Sequence, residues 1–142
     1  LPASFYVSEN TRGAFVLEGD EYDTVFWDKV PKFNHYRPSI SVLTSVEYDH
    51  ADIYPDLAAV QRAFVGLMER TREKVLAFDG DPQVREVVKA ARVPVLFYGE
   101  GPDADYRAEK IRLTAEGSEF EVVGPRGDRF PIRTQYSGKH NV

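Results

Sequence analysis

The sequence predicts an α/β fold, with a mostly parallel sheet flanked by helices and a small antiparallel meander near the C-terminus. Two observations predict this fold class. Apolar strand-like runs alternate with two amphipathic helical patterns over residues 39–99, as in right-handed β-α-β crossovers. Beyond Gly101, apolar and polar residues alternate with a period of two, which is typical of antiparallel strands. We expect helices to cover both faces of the parallel part of the sheet.

Two apolar runs in the first fifty residues predict buried strands. GAFVLE at residues 13–18 and SISVLTSV at residues 39–46 are short and apolar, and an acidic stretch follows each of them. The connection at residues 22–38 mixes aromatic and charged residues without a helical period, so it predicts irregular structure packed against the sheet. Trp27 and Phe33 in this connection are interpreted as packing anchors.

Two helices are predicted between the strands that follow. Asp56 is placed to cap a helix whose apolar residues recur at three- and four-residue spacing: Leu57, Val60, Phe64, Leu67 and Met68. KVLAF at residues 74–78 predicts a strand, and Asp81-Pro82 predicts the cap and first residue of a second helix. VPVLFYG at residues 93–99 predicts the next strand.

The C-terminal part of the chain predicts an antiparallel subdomain over residues 102–136. Its strands are expected to turn at Glu116-Gly117 and at the Gly124 to Gly127 segment. The whole chain, residues 1–142, has the length of one domain, and it contains no internal repeat.

Composition narrows the possible function classes. The chain has 142 residues, of which 42% are hydrophobic and 13% aromatic, so we expect a packed core rather than disorder. Its net charge is −5, and no run of Lys and Arg is present, which argues against a nucleic-acid or anionic-membrane binder. It has no cysteine, so disulfides and thiolate metal sites are excluded. The sequence shows no secretory signal and no apolar run long enough to span a membrane, so we predict a cytoplasmic location.

Two acidic clusters are the candidate site. Each follows one of the first two predicted strands: Glu18, Asp20, Glu21 and Asp23, then Glu47, Asp49, His50 and Asp52. Ligands of open α/β sheets bind beyond the carboxyl ends of the strands, where parallel strands would bring the clusters together. Because neighbouring carboxylates repel one another, a cation such as Mg²⁺ is the expected occupant. The alternative is that these are solvated loops without a ligand and that His50 is structural.

Several catalytic motifs are missing from the sequence. It contains no G-x-x-x-x-G-K-[ST] phosphate loop, no G-x-S-x-G turn and no H-E-x-x-H pair. The chain therefore lacks the usual nucleotide-phosphate cradle and the usual hydrolase nucleophile. Any phosphate ligand would need the metal or another local site.

Three segments resemble the central domain of the ATP-dependent Mur ligases. EGDEYDTVFWDKVPKFNHYRP and SVLTSVEYDHADIYPDLAAVQRAF carry most of the resemblance, and GKHNV matches the family's G-x-H-N element. The resemblance runs from Gly13 to Val142. DEYDTxFxDKxxKF resembles the branch that joins UDP-N-acetylmuramate to the murein tripeptide L-Ala-γ-D-Glu-meso-diaminopimelate in peptidoglycan recycling. The L-alanine-adding ligase of the family typically has serine at the position of Tyr22.

The resemblance implies a ligase mechanism with ATP and Mg²⁺ as cofactors. In such ligases a substrate carboxylate attacks the γ-phosphate of ATP, and an amine then displaces phosphate from the acyl phosphate. By the match, Glu18 would hold Mg²⁺ near the γ-phosphate and His50 would serve a second metal. These two residues are the expected catalytic and metal-binding pair. Asp49 and Asp52 would orient the imidazole, and His140 and Asn141 would lie near the adenine of ATP.

The sequence departs from the family pattern in several places. It begins downstream of the expected phosphate loop and stops before the amine-substrate domain, so we expect an inactive fragment whose missing N- and C-terminal domains belong to the same chain. Ser45 stands where an asparagine is usual, and Phe64 stands where some relatives carry a carbamylated lysine. UDP-N-acetylmuramate:L-alanine ligase and a non-catalytic binding module of the same fold remain alternatives. The central expectation is that Glu18 and His50 end neighbouring strands and face one pocket.

Overall fold

Six strands form one continuous sheet in the computed structural model, which describes residues 13–22, 28, 30–139 and 142. The strands are β1 (Ile40–Leu43), β2 (Lys74–Phe78), β3 (Val95–Gly99), β4 (Tyr106–Thr114), β5 (Gly117–Val123) and β6 (Arg129–Thr134). Their order across the sheet follows the chain. The pairings from β1 to β4 are parallel, and β4-β5 and β5-β6 are antiparallel. The predicted fold class is confirmed.

Two α-helices connect the parallel strands where the sequence predicts them. The first, α1 (Leu57–Arg70), begins after Asp56, whose Oδ1 accepts a hydrogen bond from the Ala59 N–H at 2.7 Å. The second, α2 (Pro82–Val87), begins after Asp81, whose Oδ1 accepts from the Gln83 N–H at 2.7 Å. These bonds satisfy N–H groups that the first helical turn leaves without a partner. A short 3-10 helix continues α2 through Val88–Ala90.

The core lies between these helices and one face of β1 to β3. Val75 and Ala77 of β2 are completely buried, as is Met68 of α1. The ring of Phe33 lies 5.1 Å from that of Phe64, centroid to centroid, and both are buried. The prediction of Phe33 as a packing anchor is therefore confirmed, whereas Trp27 lies outside the described residues.

The opposite face of the parallel strands carries no helix in the described part of the chain, so the prediction of helices on both faces is wrong there. Right-handed crossovers place a helix on a face determined by the direction in which the strand order advances. Because the order advances in one direction from β1 to β3, α1 and α2 lie on the same face. The other face leaves Ile40 (51%), Val42 (62%) and Phe78 (36%) exposed.

The predicted buried strand at residues 13–18 is also wrong. Residues 13–22 form neither strand nor helix, and Phe15, Val16 and Leu17 are 70%, 87% and 54% exposed. A strand needs a neighbour that pairs its N–H and C=O groups. Among the described residues, no strand forms a sheet ladder with residues 13–18, even though β1 is an edge strand with a free side. Apolar composition alone therefore does not produce a strand here.

The predicted antiparallel meander near the C-terminus is confirmed in β4, β5 and β6, and it continues the parallel sheet. The subdomain boundaries at residues 102 and 136 stay a prediction. The parallel pairs Tyr98-Tyr106 and Gly99-Arg107 join β4 to β3. Gly117 begins β5 with a φ of 147°, and a Cβ at this position would collide with the Thr134 carbonyl oxygen. Among the described helices none has the length and apolarity to cross a bilayer. The cytoplasmic location stays a prediction.

Candidate functional site

His50 lies in a tight turn beyond the carboxyl end of β1. Its carbonyl oxygen accepts hydrogen bonds from the N–H groups of Ile53 at 2.8 Å and Tyr54 at 3.0 Å. Its own N–H donates to Asp49 Oδ1 at 2.6 Å. The turn gives His50 a φ of 57°, in the left-handed region that few residues other than glycine and asparagine adopt readily. The backbone at this position is therefore held by three hydrogen bonds in an uncommon conformation.

The segment that carries the first acidic cluster reaches the same turn. The hydroxyl of Tyr54, which is 6% exposed, donates to the Glu21 carbonyl oxygen at 3.1 Å. The ring of Tyr22 lies against the His50 imidazole, with 4.1 Å between the ring centroids and an angle of 51° between the planes. Two acidic segments far apart in sequence thus meet around one imidazole.

Asp20 and Lys32 anchor this segment on its other side. Lys32 Nζ donates to Asp20 Oδ2 at 2.6 Å, and the Lys32 N–H donates to the Tyr22 carbonyl oxygen at 3.0 Å. Asp20 Oδ1 also accepts from the Tyr22 N–H at 2.8 Å. The hydrogen bond from Lys32, with that from Tyr22, holds the pKa of Asp20 below its usual value. Asp20 is therefore an anion at neutral pH and keeps residues 20–22 tied to the aromatic connection.

A cavity of about 170 Å³ opens between the two segments. It is lined by Glu21, Ser45, Glu47, Asp49, His50, Tyr54 and Val60. Burial raises the pKa of Tyr54 to about 12, and the carboxylates of Glu21 and Asp20 act in the same direction. Three carboxylates and one imidazole therefore surround a space bounded by a neutral tyrosine, which makes the cavity suited to a cation.

A second cavity of about 370 Å³ adjoins the first at the carboxyl ends of β1 and β2. Its lining includes Ser45 and Glu47, which belong to both cavities, and the ring of Phe78. Asp81 supports the boundary between them, since its Oδ2 accepts from the Val46 N–H at 2.9 Å while its Oδ1 caps α2. Together the two cavities form a crevice at the sheet edge where α/β proteins bind ligands.

The predicted site residues differ in whether they line the smaller cavity. Asp49 and His50 line the smaller cavity. Glu18 and Asp52 are exposed, and neither lines either cavity within the described part of the chain. The expectation that Glu18 ends a strand and faces one pocket with His50 is therefore wrong in this structure, because residues 13–22 form no strand and Glu18 does not line the cavity of His50. His140 and Asn141 lie outside the described residues. The roles of all these residues stay predictions, while Tyr22 and Tyr54 are contacts that sequence analysis did not assign to the site.

The three carboxylates around the cavity fit Mg²⁺ in kind, because this ion takes oxygen ligands. His50 Nδ1 lies 3.9 Å from Asp49 Oδ1, so an imidazole and a carboxylate are neighbours. Over residues 13–22, 28, 30–139 and 142, no group of three or more His, Asp or Glu side chains is already arranged to hold a metal ion. Mg²⁺ commonly takes only one or two protein ligands and completes its shell with water and phosphate oxygens. A site with few protein ligands is therefore compatible with that ion.

Comparison with known proteins identifies the family of this α/β domain. Residues 1–142, the full length of the chain, match the Mur ligase middle domain. The chain belongs to the Mur ligase family. The Mur ligase resemblance inferred from the EGDEYD and DHAD segments is thereby confirmed at the level of the family.

The relatives of this Mur ligase domain include L-alanine-adding enzymes. It is 35% identical over 130 residues to the UDP-N-acetylmuramate--L-alanine ligase of Pediococcus pentosaceus, covering 90% of this chain and 27% of that ligase. It is 36% identical over 128 residues to the ligase of the same name from Limosilactobacillus reuteri, with the same two coverages. The chain thus spans about a quarter of the length of these curated relatives.

Solved Mur ligase structures share the fold. The UDP-N-acetylmuramate:L-alanyl-gamma-D-glutamyl-meso-diaminopimelate ligase from Neisseria meningitides superimposes with a TM-score of 0.71 at 32% identity, covering 87% of this chain and 38% of that chain. MurF from Acinetobacter baumannii gives a TM-score of 0.65 at 20% identity, covering 77% and 24%, which shows the fold alone. Neither the sequence relatives nor the structures single out one branch of the family.

Proposed function

We propose that this chain is the ATP- and Mg²⁺-binding middle domain of a peptidoglycan ligase that joins UDP-N-acetylmuramate to an amine through an acyl phosphate. The observation that carries the proposal is the meeting of two acidic segments around His50 at the carboxyl edge of a Mur ligase sheet. A cavity lined by carboxylates and an imidazole suits a cation that accompanies a nucleotide.

Glu18 and His50 are the residues that would hold the metal ions. When bound there, Mg²⁺ would supply positive charge against the charge that develops on the phosphoryl oxygens during transfer. Asp49 and Asp52 are assigned to orient the imidazole, and the 3.9 Å between Asp49 Oδ1 and His50 Nδ1 supports this role for Asp49. His140 and Asn141 are assigned to the adenine of ATP. The exposed position of Glu18 leaves its carboxylate accessible to a ligand.

The favoured amine substrate is the murein tripeptide L-Ala-γ-D-Glu-meso-diaminopimelate. The DEYDTxFxDKxxKF segment supports this branch, and a solved ligase named for that peptide is 32% identical to the chain. The second candidate is L-alanine, supported by relatives that are 35% and 36% identical and are named for it. Both substrates share UDP-N-acetylmuramate, so they differ only in the amine.

We further propose that residues 1–142 belong to a longer polypeptide that supplies the phosphate loop and the N- and C-terminal domains. Residues 102–136 would form the antiparallel subdomain within this middle domain. Two features support the proposal: the uncovered face with Ile40 and Val42, and the free edge of β1. Parallel sheets normally bury both faces. Further strands and helices of the same polypeptide would cover these surfaces.

The test is a ligation assay on the longer protein that contains this chain. UDP-N-acetylmuramate, ATP and Mg²⁺ are supplied with either the tripeptide or L-alanine, and phosphate release and product mass are measured. We expect kcat/KM for the tripeptide to exceed that for L-alanine by at least about tenfold, since a pocket built for the larger amine leaves contacts unused with the smaller one. The 142-residue chain alone is expected to give no product.

Each other outcome contradicts a different part of the proposal. A preference for L-alanine would establish the second candidate. Absence of ATP-dependent ligation with either amine would favour a non-catalytic binding module. Ligation by the 142-residue chain alone would show that the proposed additional domains are not required.

A further inference from the structure

The contact between Tyr22 and His50 is the one ring contact in the described part of the chain that joins the two acidic segments. Tyr22 is 46% exposed, and it nevertheless places its ring 4.1 Å from the imidazole. The His50 side chain is 21% exposed, so one part of the imidazole is covered while another part remains accessible. The tyrosine thus contributes to the surroundings of the imidazole rather than to the core.

Tyr22 is itself held in place through its backbone. Its N–H donates to Asp20 Oδ1 at 2.8 Å, and its carbonyl oxygen accepts from the Lys32 N–H at 3.0 Å. The carbonyl of the next residue toward the N-terminus, Glu21, accepts from Tyr54. Tyr54 also donates its N–H to the His50 carbonyl. Tyr54 therefore links the backbone beside Tyr22 to the backbone of His50.

Because hydrogen bonds hold the backbone of His50, its imidazole can move mainly by rotation about the side-chain torsion angles. An imidazole that rotates freely must be ordered when it binds a cation, and that ordering weakens binding. A neighbouring ring limits the available rotamers before the cation arrives. Hydrogen-bonded partners that orient a metal-binding histidine commonly change metal affinity by about 10- to 100-fold when they are removed, so we expect a ring contact to give an effect at the lower end of that range.

We propose that Tyr22 is a positioning residue whose ring fixes the orientation of the His50 imidazole at the acidic cavity. The inference rests on the proposed function for the metal role of His50, whereas the orientation itself does not depend on any ligand. The aromatic ring is the part of Tyr22 that acts, because the observed contact is between the two rings, which are tilted by 51°. A divalent cation accordingly meets an imidazole that is already oriented.

The test compares Tyr22→Ala and Tyr22→Phe in the 142-residue chain, with Tyr136→Ala as the matched control. Tyr136 is also an exposed tyrosine, at 72%, and it lies in the segment after β6. The NMR signals of the His50 ring protons report its orientation through the ring current of Tyr22. Mn²⁺ serves as the probe cation, and its Kd is measured by titration.

We expect Tyr22→Ala to move the His50 ring signals toward their position in an unfolded peptide and to weaken Mn²⁺ binding about tenfold. Tyr22→Phe keeps the ring and is expected to preserve both values, as is Tyr136→Ala. In a His50→Asn background, Tyr22→Ala should have no further effect on the Kd, because the group that it positions is gone. Unchanged ring signals in Tyr22→Ala would overturn the inference, and so would an equal loss of affinity in both backgrounds.

The inference and the proposed function fail separately in this design. Mn²⁺ binding that does not weaken in His50→Asn would contradict the metal role of His50. The ring signals of wild-type and Tyr22→Ala chains, recorded without metal, test the positioning alone. A loss of affinity in Tyr22→Phe as large as in Tyr22→Ala would show that the hydroxyl acts instead of the ring, which also overturns the inference.

Discussion

Replacing His50 by asparagine in the longer ligase is expected to lower kcat by about 100-fold or more while the protein stays folded. Removal of a single group that stabilises developing charge typically costs that much in rate. Asparagine is the appropriate replacement because His50 has a φ of 57°, and asparagine tolerates the left-handed region better than most residues. The measurement is kcat at saturating ATP and UDP-N-acetylmuramate, together with urea unfolding of the same samples.

Lys110→Asn is the matched control for this variant. Lys110 has a φ of 54° and is the other residue with a positive φ, apart from glycine, in the described part of the chain. It lies in β4, and its exposed ion pair with Glu121 at 2.8 Å contributes little stability. We expect its kcat to be unchanged. An unchanged kcat in His50→Asn as well, or unfolding that accounts for its whole loss of activity, would contradict the role of His50.

Phe64→Ala is expected to reduce the free energy of unfolding of the 142-residue chain by about 3–5 kcal/mol. Phe64 is 5% exposed and packs its ring 5.1 Å from that of Phe33, so truncation leaves a cavity between α1 and the aromatic connection. Urea unfolding measures the change. Phe15→Ala, at a residue that is 70% exposed, is the control and should change stability by less than about 0.5 kcal/mol.

A loss below about 1 kcal/mol for Phe64→Ala would contradict this description of the core. The position also has a bearing on the site, since some relatives are expected to carry a carbamylated lysine there. In this chain the side chain packs against Phe33, and Val60 is the residue of α1 that lines the smaller cavity. Position 64 thus contributes to stability through packing.

Elements with a local signal could be predicted from sequence. The cap residues Asp56 and Asp81 define the starts of both helices through hydrogen bonds within three residues. The turn at Gly124 to Gly127 was also identified, and the Gly127 N–H donates to the Gly124 carbonyl oxygen at 2.9 Å. In each case the residues that determine the structure are close together in the chain, so their pattern is sufficient.

The two errors in the fold concern partners that are distant in the chain. Residues 13–18 have the composition of a strand, but composition does not determine whether a segment pairs with a free edge, and β1 leaves its free edge unpaired with these residues. Coverage of both faces of the sheet was inferred from the β-α-β alternation alone. That alternation determines the crossover hand, whereas the strand order determines the face, and nothing in the sequence of β1 to β3 specifies the order.

The candidate site was predictable only in outline. The two acidic segments were expected to meet because each would follow a parallel strand, but the first of those strands does not form. Glu21, Asp49 and His50 nevertheless line one cavity. The hydrogen bond from Tyr54 to Glu21 and the ring contact of Tyr22 were not predicted. Both depend on side-chain directions across loops, for which the sequence carries no periodic signal.

The most direct test of the account is a crystal structure of the longer ligase with Mg²⁺ and a non-hydrolysable ATP analogue. We predict that the Glu18 carboxylate and the His50 imidazole both contact metal ions beside the nucleotide phosphates, with a Mg²⁺–oxygen distance of about 2.0–2.1 Å for the carboxylate. Placement of either side chain at a different edge or face of the domain, away from the phosphates, would contradict the account.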